Sequence, residues 1–198
     1  AEQQPWEDFK MNADITNLVN NSQATELDFT ESPLLRGLSE KQVDIVVSAM
    51  EHLCYEANAI ILKQGEENKG LWLISEGCCE VTRISDTNEK HRVIAVLGPG
   101  TIFGEMSFFR KTAHSANVRT VTNSTVHMLS QEAFEELRQN SSEVAATILI
   151  NLITVVSERL KLMDGWVCAL TEQPDVSACN KYEEWHEFRA KLYREWNF

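Results

Sequence analysis

Leu97-Gly98-Pro99-Gly100-Thr101-Ile102-Phe103-Gly104-Glu105-Met106-Ser107-Phe108-Phe109, with the run RKTAHSANVRT that follows it from Arg110 to Thr120, decides the fold. Glycines at 98, 100 and 104 let the backbone turn sharply and come close to a ligand. A short helical turn starting just after Gly104 leaves its first N–H groups unpaired and facing outward. Such an end attracts an anion, through the donors and the positive end of the helix dipole. Glu105 stands at that turn, and a β-like run begins at Ser115. Loop, glycine, carboxylate and amides together read as a pocket for a phosphate with a polar sugar beside it.

Outward from this stretch, the signals from Tyr55 to Ser130 are short strands divided by glycine turns. Leu71, Leu73 and Val81 alternate with neighbours on the opposite face, and His91–Leu97 and Ala116–Leu129 also read as strands. Asp86-Thr87-Asn88 marks a surface hairpin loop. Before the strands, Ser39 to Leu53 reads as a helix opened by a Ser39/Gln42 capping box, with Val43, Val46, Val47 and Met50 on one face. After them, Ser130 caps a short helix that turns Phe134 and Leu137 inward. A long helix follows from about Ser142 to Asp164 or Gly165. Its apolar set, Val144, Ile148, Leu149, Leu152, Ile153, Val155, Val156, Leu160, Leu162 and Met163, is wider than one face and requires cover on two sides. The predicted class is α+β and mainly β: an antiparallel β-roll or jelly-roll-like barrel with flanking helices and a long C-terminal helix.

The chain has 198 residues, 43% of them hydrophobic, which suits one domain with extensions. A net charge of −12 argues against nucleic acid, because neutralising phosphates needs surplus Lys and Arg. No apolar run reaches the roughly 18 residues of a membrane span, so no membrane segment is expected within the chain. The first residues, AEQQPWEDFK, have neither the basic start nor the apolar centre of a signal peptide, and without an initiator Met the sequence reads as a piece of a longer protein. Five cysteines, Cys54, Cys78, Cys79, Cys168 and Cys179, suit a reducing, cytoplasmic setting. Of the vicinal pair Cys78-Cys79, strand geometry predicts one in the core and one outside. The five histidines show no metal-ligand spacing, and neither a Gly-x-Ser-x-Gly nor a P-loop occurs, so no metal, catalytic residue or enzyme activity is predicted.

The block Phe103-Gly104-Glu105-Met106-Ser107-Phe108-Phe109, followed by Ala113-His114-Ser115-Ala116-Asn117-Val118, resembles the phosphate-binding cassette of cyclic nucleotide-binding domains. That family includes the bacterial catabolite activator protein and the regulatory subunits of the cAMP-dependent kinase. Ile60-Ile61-Leu62-Lys63-Gln64-Gly65-Glu66 and Leu71-Trp72-Leu73-Ile74-Ser75-Glu76-Gly77 resemble the family's first strands and their turn glycines. The resemblance implies a domain over residues 34–165, with a β-roll at about 55–130 and helices at about 130–165. An extension precedes it at 1–33, and a tail follows at 166–198.

By that resemblance the ligand is a cyclic nucleotide, cAMP or cGMP, and no other cofactor is implied. Glu105 would accept from the ribose 2′-hydroxyl; its bland alternative is a helix N-terminal charge favoured by the dipole. Gly104, Met106 and Ser107 would offer amides to phosphate, and Ser115 a hydroxyl. Met163 and Asp164 would lean over the base, although a solvated helix-end charge explains Asp164 as well. The family usually places an arginine where this chain has His114. Losing one charge-assisted hydrogen bond costs about 1.5–3 kcal/mol, roughly ten- to a hundredfold in affinity. His114 therefore reads as a weak donor, as the mark of a degenerate pocket, or as a strand-edge histidine. Arg110 or Lys111 could supply the missing charge.

Two functions follow from the sequence. One is a regulatory domain that senses cAMP or cGMP and passes the signal through its C-terminal helices to a larger protein. The other is a ligand-free domain of the same fold serving as a dimerisation or docking module. A homodimer would use the 142–165 helix. A protein partner would use the 181–196 helix, whose Tyr182, Trp185, Phe188, Leu192 and Trp196 form a stripe at spacings of three and four; packing against its own domain is the alternative.

Overall fold

The computed structural model describes Phe29 and residues 32–67, 70–84, 91–109 and 112–171. The predicted features of the N-terminal extension before Phe29, the 86–88 hairpin loop, Arg110-Lys111 and the 181–196 helix lie outside the described residues. The chain divides into two compact units, Ala1–Ile153 and Thr154–Phe198.

The first unit opens its regular structure with helix α1 (Glu40–Ser48). Gln42 Oε1 accepts from the Ser39 N–H at 2.9 Å and from the Ser39 hydroxyl at 3.0 Å, which anchors the predicted N-terminus. Val43, Val46 and Met50 are buried. The helix does not run to Leu53 as the periodicity suggested. Strand β1 (Glu51–Tyr55) follows at once and pairs with β8 (Ser124–Ser130), Leu53 opposite Val126. Leu53 and Tyr55 pack on the core between the sheets, and that non-local burial outweighs local helix spacing.

Eight strands form two four-stranded antiparallel sheets among the described residues. One has the order β1-β8-β3-β6, with β3 at Gly70–Glu76 and β6 at Ile102–Phe103. The other has the order β2-β7-β4-β5, from Ile60–Leu62, Asn117–Thr120, Cys79–Ile84 and His91–Leu97. The two sheets enclose Leu62, Trp72, Ile74, Cys79, Phe103, Val118 and Val126. Each such side chain contributes about 1.5–3 kcal/mol when removed from water. This is the predicted mainly-β α+β roll with flanking helices and a long C-terminal helix.

Three local expectations change. The run Ala116–Leu129 is two strands in different sheets, parted at 121–123, where the Val121 N–H donates to the Cys78 carbonyl at 2.7 Å. Strand β3 alternates in facing, Trp72 and Ile74 toward the other sheet and Leu71 and Leu73 away from it, but neither face is left to water, both being buried up to Ser75. Cys78 and Cys79 are both 0% exposed. Cys78 lies in the turn before β4, where its N–H donates to Thr122 Oγ1 at 3.0 Å, so strand alternation does not apply to it.

Helix α2 (Glu105–Phe108) is a single turn after β6. Helix α3 (Gln131–Asn140) begins at Ser130, whose hydroxyl accepts from the Ala133 N–H at 3.0 Å, and it buries Phe134 and Leu137. Helix α4 (Ser142–Thr171) passes Gly165 rather than stopping there. Gly165 has no positive φ, so it weakens the helix without ending it. Within the first unit Val144, Ala145, Ile148 and Leu152 of α4 are buried, whereas Ile150 and Ile153 are each 64% exposed. Asn151 Nδ2 donates to the carbonyls of Leu34 at 2.9 Å and Arg36 at 2.8 Å. In the second unit, Leu160, Leu162 and Met163 are exposed. No helix among the described residues is long and apolar enough to cross a membrane.

Candidate functional site

The turn from β6 into α2 is built on Gly104, which has φ 85° and ψ −1°. A side chain is excluded there twice over. The left-handed backbone disfavours it, and a Cβ would lie 2.8 Å from the Gly70 carbonyl oxygen. The backbone therefore lies almost on strand β3, and α2 starts directly above the roll.

Three of the four cassette residues after this point are turned inward. Glu105, Ser107 and Phe108 are buried, whereas Met106 is 71% exposed. The Ser107 N–H donates to the Gly104 carbonyl at 3.3 Å, so this amide is turned back along its own helix rather than outward. Ser107 Oγ also lies 3.4 Å from that carbonyl and 3.2 Å from His114 Nδ1. The His114 tautomer sets which of the two groups donates.

His114 is buried, and its backbone is clamped by the loop after β2. Its N–H donates to the Glu66 carbonyl at 2.9 Å, and its carbonyl accepts from the Gly65 N–H at 2.9 Å. Gln64 braces the same loop from behind: Ile84 N–H donates to its Oε1 at 2.9 Å, and its own N–H donates to Asn117 Oδ1 at 2.9 Å. Burial lowers the His114 pKa below its ordinary 6.5, with Glu66 opposing the shift. The ring is therefore neutral near pH 7. Ser115 beside it is exposed.

The far end of α2 meets α3. Gln131 Nε2 donates to the Phe108 carbonyl. Phe108, Phe109 and Phe134 form an edge-to-face cluster with ring centroids 4.8, 5.7 and 5.8 Å apart. The sequence reading used Phe134 only as a core residue and missed Phe109 and Gln131. Their signal is aromatic residues on two consecutive short helices, which acquires meaning only once the helices are known to touch. Trp72 was also missed. Its indole Nε1 is buried without a hydrogen-bond partner, a state that costs about 1–3 kcal/mol.

Glu105, Ser107 and His114 thus come together around α2, with Gly104 at its head. Met106 and Ser115 stand at the surface beside them. Met163 and Asp164 lie on α4 in the second unit, Met163 exposed and Asp164 half-buried. Among the described residues no group of three or more His, Cys, Asp or Glu side chains could hold a metal ion. The arrangement can offer an anion and sugar a buried carboxylate, a neutral imidazole, a hydroxyl and backbone amides.

The profile described as "Cyclic nucleotide-binding domain" matches residues 52–141. The cyclic AMP receptor protein of Thermus thermophilus is 30% identical over 133 residues, covering 67% of this chain and 59% of that protein. A cAMP-dependent protein kinase regulatory subunit of Schizosaccharomyces pombe is 27% identical over 114 residues, covering 58% of this chain and 26% of that one. The crystal structure of the Thermus thermophilus catabolite activator protein superposes with a TM-score of 0.64 at 28% identity, covering 70% of this chain and 63% of that one. The chain spans less than two thirds of each of these relatives. Through residues 52–141 it belongs to the cyclic nucleotide-binding domain family.

Proposed function

We propose that this chain is a regulatory module that binds cAMP or cGMP at the α2 cassette and reports occupancy through α3 and α4 to the rest of a larger protein. The observation that carries the reading is a buried carboxylate, Glu105, held at the head of α2 by left-handed Gly104 inside a matched cyclic nucleotide-binding domain. Glu105 accepts from the ribose 2′-hydroxyl. The Gly104 and Met106 amides and the Ser115 hydroxyl hold the phosphate. Ser107 and His114 join them once their mutual hydrogen bond opens. The Phe108–Phe109–Phe134 cluster carries a shift of α2 to α3, and the ligand drives that shift to the extent that it binds the shifted arrangement better. The role is regulatory, and the free thiols Cys54, Cys78 and Cys79 suit a cytoplasmic setting.

Titration calorimetry of the whole chain with cAMP and cGMP tests this directly. Binding is expected, weaker in Glu105→Ala and stronger in His114→Arg. Absence of heat at millimolar nucleotide, in both the wild type and His114→Arg, ends the sensor reading.

A second reading, a ligand-free dimerisation or docking module, has its own support. The Ser107–His114 bond occupies the corner where an anion would sit, and α4 leaves Ile150 and Ile153 exposed. Under it, Ile150→Glu with Ile153→Glu turns a dimer into a monomer by light scattering, while the chain ignores nucleotides.

A further inference from the structure

Among the described residues, one buried side-chain polar atom has no hydrogen-bond partner, and it lies against the cassette: Trp72 Nε1, on a residue only 3% exposed. Strand β3 sets Trp72 opposite Phe103 of β6 and Met128 of β8. The indole stacks on Phe103, ring centroids 5.9 Å apart and planes 8° from parallel. That stack determines which edge of the ring meets Gly104. A Cβ at position 104 would lie 3.0 Å from Trp72 Cδ1 and 3.7 Å from Nε1, so the N–H edge faces the first residue of the cassette. A phenylalanine would fill the same stack without burying a donor. A buried donor without a partner is rare and unfavourable, and it asks for an acceptor the chain does not itself provide.

We propose that Trp72 is a ligand-binding residue whose indole N–H donates to a sugar-phosphate oxygen of the bound nucleotide. This rests on the cyclic-nucleotide reading above and adds a contact to it. In the unliganded chain the atom is closed to solvent, so the oxygen reaches it as the Gly104 peptide gives way. Position 104 carries no side chain to obstruct that movement. The unliganded arrangement is handicapped by the orphan donor and the liganded one is relieved of it, which biases the cassette toward its liganded position. The donor is uncharged, in keeping with a site where burial holds His114 neutral.

Trp72→Phe keeps the ring and removes the donor. Calorimetry of both whole chains with cAMP, cGMP and inorganic phosphate is combined with the indole N–H resonance, assigned by its loss in the variant. Affinity for the cyclic nucleotide is expected to fall about three- to tenfold. The unliganded melting temperature should stay the same or rise, and the indole resonance should move downfield at saturation. Nucleotide binding with unchanged affinity in the variant, or with an unmoved indole resonance, overturns the assignment of Trp72 and leaves the nucleotide reading standing. Weaker binding accompanied by a lower unliganded melting temperature makes the residue a packing element and overturns the assignment as well. No heat from the wild type with either nucleotide overturns both readings, unless phosphate alone binds in a Trp72-dependent way, which keeps the donor and removes the nucleotide.

Discussion

His114 Nδ1 and Ser107 Oγ lie 3.2 Å apart, both buried, so two of the groups proposed to meet the phosphate already satisfy each other. A ligand must exchange this bond for its own. That exchange lowers the net gain from either group toward the modest value of a neutral hydrogen bond, about 0.5–1.5 kcal/mol.

Replacing the imidazole with a guanidinium changes that balance. An arginine at 114 is always charged and brings a fork of donors. His114→Arg is expected to tighten cAMP or cGMP binding by roughly ten- to a hundredfold, read by calorimetry. Unchanged affinity would place the anion elsewhere than beside residue 114.

Glu105→Gln keeps the shape of the cassette and removes its charge. Affinity for cAMP is expected to fall about tenfold or more, since hydrogen bonds to charged groups are worth about 1.5–3 kcal/mol. A 2′-deoxy nucleotide should bind both forms nearly equally. If the variant weakens both nucleotides alike, Glu105 supports the fold of α2 rather than the sugar.

Acidification should weaken the fold. His114 and His127 both titrate below 6.5, burial being the main cause; Glu66 opposes the shift of the first, and His52 adds to that of the second. Just below pH 6.5 the unfolded chain therefore binds more protons than the folded one, and stability falls as pH drops through that window. Urea melts from pH 7.5 to 5.5 should show the decline, with a shallower slope in His114→Gln. For ligand binding the same shift moves any gain from a charged His114 below pH 6.5.

The vicinal thiols should be inert. Burial, the largest cause, pushes Cys79 up to about 12 and raises Cys78 as well. Iodoacetamide at pH 8 is expected to modify exposed Cys54 quickly and Cys78 and Cys79 only on unfolding. Mass spectrometry showing early labelling at 78 or 79 contradicts the packing described.

Gly104→Ala meets both a left-handed backbone and the Gly70 carbonyl. A loss of about 1–3 kcal/mol is expected in denaturant unfolding, with nucleotide binding lost alongside. An unaffected melt would mean that the turn relaxes freely.

The turn glycines were legible because their demand is local. Gly65, Gly77, Gly100 and Gly104 all have φ between 83° and 85°, and short apolar runs between such residues can hardly be anything but strands. The end of α1 was not legible. Leu53 continues the helical spacing, and what makes it part of a strand is its pairing with Val126, far along the chain. The site divides in the same way. Gly104 and Glu105 are adjacent and readable together. The Ser107–His114 bond and the Trp72 edge under Gly104 arise only when β3, α2 and the loop after β2 are assembled.

Asn151 gives α4 a fixed moorage: its amide grips the peptide chain at Leu34 and Arg36 from nearly the whole domain away in sequence. The opening turns of that helix are thereby hitched to the segment preceding α1. Under the proposed regulatory reading, a shift of α3 carries the start of α4 with it only by breaking those two hydrogen bonds.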